Sequence, residues 1–149
     1  MYVDTSVMVK LFVAEPDSEL CEAIVSGTTL VSSRLLYCEL RSAILGKVSR
    51  GVIPAGLGTE VWQEFERRIV AQKIRFLALD GMIVQDATEL LNELHPKVSL
   101  RALDALHLAT YLSAEVGPLF TKDVRMLRAA EQLGLPLACL LYTSPSPRD

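Results

Sequence analysis

Short apolar runs alternate along this chain with longer segments in which apolar residues return every three or four positions. Those are the spacings of buried strands and of amphipathic helices. "MYV" reads as a strand, and "SVMVKLFVAE" as a helix ended by Pro16, because the residue before a proline is steered out of the helical region. "PDSELCEAIVSG" reads as a second helix stopped by Gly27, "TTLVSS" as a strand, and "RLLYCELRSAILGKVSRG" as a long helix. Pro54, Gly56 and Gly58 predict a turn. In the helix "TEVWQEFERRIVAQ" that follows, Val61, Trp62, Phe65 and Ile69 share a face directed at the core. "IRFLAL" is a strand, "MIVQDATELLNEL" a helix closed by His95-Pro96, and "SLRALDALHLAT" a helix running to about Gly117. "PLF" is a strand, "VRMLRAAEQL" a helix stopped by Gly134, and "LPLA" opens a final strand.

Strands that alternate with helices predict the α/β class: one domain with a central parallel sheet of about five short strands and helices on both faces. Strands buried on both sides fit the continuous apolar "YV", "LV" and "LF" better than a half-exposed alternation would. In open sheets of this kind ligands bind beyond the carboxyl ends of the strands. Three acids stand at such ends: Asp4, Asp80 and Asp123. Each is also a good N-cap for the helix that follows it.

Two further acids sit where the pattern asks for apolar residues. Asp104 lies between Leu100 and Leu108 in a helix apolar over most of its circumference. An unpaired carboxylate taken out of water costs several kcal/mol. Arg101 and His107 stand on the same face, three residues before and after, and Arg101 offers a simple pairing. Glu39 has Leu35, Leu36, Ser42 and Ala43 as helix-face neighbours, with Arg41 as the ordinary partner. Two strand-end acids and two helix-face acids meeting in one crevice would repel one another unless a cation stood among them. Hard oxygen ligands suit Mg²⁺ or Mn²⁺.

Composition narrows the class. Half of the 149 residues are hydrophobic and 22% are charged, the balance of a globular domain with a single core. The longest apolar runs fall far short of the ~20 residues a membrane span needs, and "MYVDTS" does not read as a signal peptide. Three cysteines with neither pairing nor metal spacing make a reduced, cytoplasmic setting the expectation. Two distant histidines exclude a zinc site. The net charge of −3 excludes a general polyanion binder, but it is unevenly spread. Between Arg41 and Arg75 seven cations face three acids, an excess of four that is either a candidate nucleic-acid rim or a solvated pair of helix faces. Residues 139–149, "CLLYTSPSPRD", can be encoded without a mismatch by a transposon adapter used in sequencing libraries. That predicts a non-native tail after a domain spanning 1–138; a disordered Ser/Pro tail has the same composition.

In order and spacing, "YVDTSVMVK", "LLYCELRSAI", "LRALDALHLAT" and "LFTKD" resemble the four acidic motifs of PIN domains, above all the VapC-type toxins of toxin–antitoxin pairs. The resemblance spans residues 1–138 and implies a metal-dependent endoribonuclease using one or two Mg²⁺ or Mn²⁺ ions. It makes Asp4, Glu39, Asp104 and Asp123 the catalytic and metal-binding acids, with Ser6 and Thr121 as supporting hydroxyls. Arg101 and Lys122 border the acids as candidate phosphate contacts. The strand order of such domains puts the strand before Asp80 at the sheet edge, leaving Asp80 as a helix cap. The expected partners are RNA, a cognate antitoxin and a second copy of the chain. "VMVKLFV" and "LCEAIV" are either docking faces for the antitoxin or core.

Three rivals remain. A haloacid-dehalogenase-type phosphatase needs a second Asp where Ser6 stands. A phosphoacceptor receiver domain needs adjacent acids early in the chain, and these are absent. A catalytically silent PIN-like module that binds RNA or protein would not require all four acids.

Overall fold

The computed structural model of the chain describes residues 1–138; the tail predicted as non-native, 139–149, lies outside the described residues. The chain alternates strands β1 (Tyr2–Val3), β2 (Leu30–Ser33), β3 (Ile74–Leu77) and β4 (Leu119–Phe120) with helices. The helices are α1 (Thr5–Phe12), α2 (Ser18–Val25), α3 (Leu35–Ser49), α4 (Ala55–Val70), α5 (Gly81–Leu94), α6 (Ala102–Leu112) and α7 (Val124–Leu133). All strand pairs are parallel, in the order β3-β2-β1-β4. A parallel bridge from Leu119 to Leu137 marks a fifth position beside β4, so the sheet has four strands and a bridge where about five strands were expected.

Successive residues of a strand point to opposite faces, and this sheet uses both. Val3, Leu30, Ile74 and Phe120 face a layer made by α1 to α4, where Val7, Met8, Leu36, Leu40, Ile44 and Phe65 are fully enclosed. Tyr2, Val31 and Leu119 face the opposite layer, made by α5 to α7 with Leu90, Leu108, Met126 and Ala130. The apolar positions of α1 that sequence left open as a docking face are core: Val7, Met8, Val9 and Leu11 are all buried. In α2 Cys21 and Ile24 are buried, and Leu20 is exposed.

Two elements differ from expectation. Pro54 is the N-cap of α4, and Gly56 and Gly58 lie inside its first turn rather than in a loop. Gly58 is there because α3 passes close: a Cβ on it would stand 2.8 Å from Val48 Cγ2 and 3.4 Å from Ile44 Cγ2. The second is α6, which begins at Ala102 and ends at Leu112 instead of running from Ser99 to near Gly117. Arg101 is extended, and Gly117 adopts a positive φ of 82° that a helix cannot contain.

Gly58→Val should force α3 and α4 apart and cost about 1–3 kcal/mol, the usual penalty for overpacking a close contact. Urea unfolding measures it; an unchanged midpoint would show that the helices do not need this approach.

Candidate active site

The chain steps outward from β1 to β2 to β3, then crosses back to lay β4 on the other side of β1. That reversal makes the carboxyl ends of β1 and β4 the switch point of the sheet, where open α/β folds form their crevice. Register fixes the neighbours: Val3 pairs with Phe120, so Asp4 and Thr121 emerge side by side. Asp80 follows the edge strand β3 and N-caps α5 through the Ile83 amide, as expected.

Asp4 is only 3% exposed, and its carboxylate is fully engaged. Oδ1 accepts hydrogen bonds from Ser6 Oγ at 2.6 Å and the Val7 amide at 3.2 Å; Oδ2 accepts one from Thr121 Oγ1 at 2.6 Å. Both hydroxyls accept in turn, Ser6 from the Lys122 amide and Thr121 from the Asp123 amide. The loop after β4 is thus pinned to the turn after β1 by two hydroxyl bridges. Burial raises the Asp4 carboxyl above its ordinary value, while the Ser6 and Thr121 hydroxyls and the Val7 amide pull the other way.

Asp123 N-caps α7, its Oδ1 accepting from the Arg125 and Met126 amides. Its charge reaches Asp104, whose carboxyl is held above the usual range first by desolvation and then by Asp123. Asp104 is half-buried in the first turn of α6, not enclosed in mid-helix, and Leu103 beside it is exposed. Its hydrogen-bond donor is the Arg101 amide at 3.0 Å rather than the Arg101 guanidinium. The apparent oddity of an acid in an apolar helix resolves into an acid at a helix N-terminus, where partial positive charge offsets only part of the desolvation.

Glu39 has a different partner from the one its own helix offers. Oε2 accepts from the Thr5 hydroxyl and lies 2.6 Å from His107 Nε2, one turn along α6 from Asp104. His107 Nδ1 lies 2.8 Å from the Tyr2 hydroxyl, which accepts from the Ser33 amide at 3.1 Å. A carboxylate can only accept, so the neutral imidazole protonated at Nε2 satisfies every member: Ser33 amide to Tyr2, Tyr2 to His107, His107 to Glu39. The chain crosses the sheet from β2 through β1 to α6 and returns to α3. Burial drives the Tyr2 phenol far above its ordinary value, keeping it a neutral donor.

The sequence matches the PIN domain family model over residues 1–132. This chain belongs to the PIN domain family. It is 35% identical to ribonuclease VapC46 of Mycobacterium tuberculosis over 138 residues, covering 91% of this chain and 93% of that protein. It is likewise 35% identical to ribonuclease VapC35 of the same organism over 142 residues, with the same coverage. The crystal structure of M. tuberculosis VapC20, titled a sarcin-ricin loop cleaving toxin, superposes with a TM-score of 0.67 at 14% identity. The match covers 90% of this chain and 95% of that one, and supports the fold.

Within this PIN domain the motif acids occupy one end of the sheet, linked through Thr121, His107 and the Asp123–Asp104 repulsion. Among the described residues no three His, Cys, Asp or Glu side chains are gathered tightly enough to form a ready metal cage. The donor chemistry still suits a hard divalent ion, since Mg²⁺ takes one or two carboxylates and keeps several waters. Lys122 does not reach into the crevice freely: its ammonium lies 3.0 Å from Asp17, which Lys10 also holds at 2.7 Å. Those two lysines bring the Asp17 carboxyl down to about 2. The Arg101 side chain is exposed. Thr5, Tyr2 and His107 were not read as site residues from sequence; the available signal was a histidine on the apolar face of α6, one turn beyond Asp104.

Tyr2→Phe removes the acceptor of the buried Ser33 amide and the donor to His107, so it should destabilise the fold by about 1–3 kcal/mol. Chemical denaturation reads this, and a neutral result would break the proposed hydrogen-bond chain.

Proposed function

We propose that this PIN domain is a divalent-metal-dependent endoribonuclease and the toxin of a toxin–antitoxin pair. The carrying observation is the Asp4 carboxylate, buried at the switch point and held on both oxygens by Ser6, Val7 and Thr121, with Asp104 and Asp123 repelling each other at the same end of the sheet. Carboxylates whose ionised form the fold disfavours concentrate at sites of binding and chemistry. The mycobacterial relatives carry the name ribonuclease, which agrees with this reading. A catalytically silent module is not favoured, because it would have no use for a buried carboxylate held at the switch point.

Asp4, Asp104, Asp123 and Glu39 are the residues that would hold Mg²⁺ or Mn²⁺, as one or two ions. When bound, the cation would supply Lewis acidity toward water and toward the phosphoryl oxygens of the scissile phosphodiester. Ser6 and Thr121 fix the Asp4 carboxylate so that it does not reorient as charge develops. Thr5 and His107 hold Glu39 by one oxygen, leaving Oε1 for a ligand or a water. Arg101, exposed at the start of α6, and Lys122, if released from Asp17, would contact substrate phosphates. A cognate antitoxin, a homodimeric assembly and a cytoplasmic setting belong to the same proposal.

Asp4→Asn and Asp104→Asn should each lower Mg²⁺-dependent cleavage of RNA by about a hundredfold or more while leaving the circular dichroism spectrum intact. Asp104→Asn should also raise the metal-free melting temperature, because at neutral pH it removes a carboxylate whose ionised form the fold disfavours. Mn²⁺ should raise the melting temperature of the parent protein and not that of the variant. Undiminished cleavage by the purified variants would remove these acids from the mechanism.

A further inference from the structure

The cationic excess between Arg41 and Arg75 does not gather at the acidic crevice. Arg67 and Arg68 share Glu64, and Lys73 leads into β3, where its carbonyl accepts from the Leu30 amide at the amino end of the sheet. Lys47 belongs to a different feature. It lies 2.6 Å from Glu15, which is 2.8 Å from Lys10; Lys10 is 2.7 Å from Asp17, and Asp17 is 3.0 Å from Lys122. Cations and carboxylates alternate along this line of side chains, with a lysine at each end. Three ammonium groups against two carboxylates leave it one positive charge in excess.

The Lys122 end of the line is anchored at the crevice. The Lys122 amide donates to Ser6 Oγ at 2.9 Å, and Ser6 Oγ donates to Asp4 at 2.6 Å, so the Lys122 backbone is two hydrogen bonds from the buried carboxylate. Its neighbours Thr121 and Asp123 are turned to Asp4 and to the first turn of α7. Lys10 stands one turn after Ser6 on the same face of α1. The Lys122 ammonium is turned to Asp17 at the start of α2, and both side chains remain partly exposed.

Asp17 occupies the N-cap of α2, yet its carboxylate makes no hydrogen bond to the helix amides. Asp4, Asp80 and Asp123, at the N-caps of α1, α5 and α7, each accept from such an amide. An N-cap aspartate ordinarily gains stability from that bond, and Asp17 forgoes it for two lysines. Ser18 fixes the corner behind it, accepting from the Glu15 amide at 2.8 Å and donating to the Val13 carbonyl at 3.3 Å. The order of the line decides which contact can yield. Among the described residues Lys122 has a single carboxylate partner, whereas Asp17 has a second cation. Without Lys122, the residues Lys47, Glu15, Lys10 and Asp17 carry two charges of each sign, and neither carboxylate is orphaned. An exposed ion pair is weak, and an ammonium on a flexible stem can exchange one anionic oxygen for another.

Resting on the ribonuclease reading above, we propose that Asp17 is an internal stand-in for substrate phosphate: it holds Lys122 beside the crevice in the free domain and yields it to a phosphate of the RNA strand flanking the scissile bond. Asp17 is thus a positioning residue that acts through Lys122. Carboxylate and phosphate compete for the same donor, so RNA that uses Lys122 must first displace one ion pair.

Short single-stranded oligouridylate is titrated into the full-length protein in EDTA, which prevents metal-dependent cleavage, and anisotropy of the labelled RNA gives the affinity. Asp17→Asn should tighten binding about two- to fivefold, the range of a single exposed ion pair. Lys122→Gln should lower the log–log salt slope by about 1, and in that background Asp17→Asn should change nothing. Removal of a negative charge near bound RNA would by itself tighten binding alike in both backgrounds. That result would overturn the proposal, as would no tightening in either. In the parent protein the Lys122 ammonium resonance should shift when the oligouridylate is added. A resonance that stays in place while RNA binds overturns the exchange even where a variant fails to fold. Each of these failures leaves the nuclease assignment intact if the parent protein cleaves RNA. Parent protein that neither binds nor cleaves RNA would defeat both.

Discussion

The parallel pairing of β1 with β4 is the constraint on which the rest of this molecule depends. Because Val3 faces Phe120 across that pair, Asp4 and Thr121 leave the sheet together, and a carboxylate can be buried with both oxygens satisfied. Neither strand is longer than two residues, so the ladder between them contributes few hydrogen bonds of its own. The side-chain bridges through Ser6 and Thr121 complete the junction. Structure and site are one arrangement here: the groups that close the sheet at its switch point also orient the central acid.

Around that point the fold accepts electrostatic cost. Asp4 is raised by burial, and Asp104 by desolvation and by Asp123. Meanwhile the ammonium groups of Lys10 and Lys122 are turned to Asp17. Glu39 is managed differently, through a histidine and a threonine, and its restraint reaches back through Tyr2 to the β2 backbone. The contrast sets Asp104 and Asp123, left under mutual repulsion, against Asp4 and Glu39, which hydrogen bonds hold in place. The divalent cation proposed above would relieve the first without disturbing the second.

Much of this was legible in the sequence because it rests on local rules. Continuous apolar pairs such as "YV" and "LF" announced strands buried on both faces, and strand-end aspartates announced both caps and a crevice. The spacing of the acidic motifs led to the family. Three things were not legible. The start of α6 depended on Arg101 being extended, which no strong cap residue signals. Gly56 and Gly58 read as turn residues because the close passage of α3 is a tertiary fact that overrides propensity. The partner of Glu39 lay 68 residues away on another helix, so local neighbours pointed to Arg41, which instead stacks on Trp62.

The proposed divalent cation would bind among the acids at the carboxyl ends of β1 and β4. The most direct measurement is an anomalous difference map from crystals of this protein grown with Mn²⁺. The account predicts a peak roughly 2 Å from a carboxylate oxygen of Asp4 or Asp104, at the carboxyl ends of β1 and β4. A fully occupied ion elsewhere, such as at Glu15 and Asp17, with this crevice holding only water in protein that cleaves RNA, would contradict it.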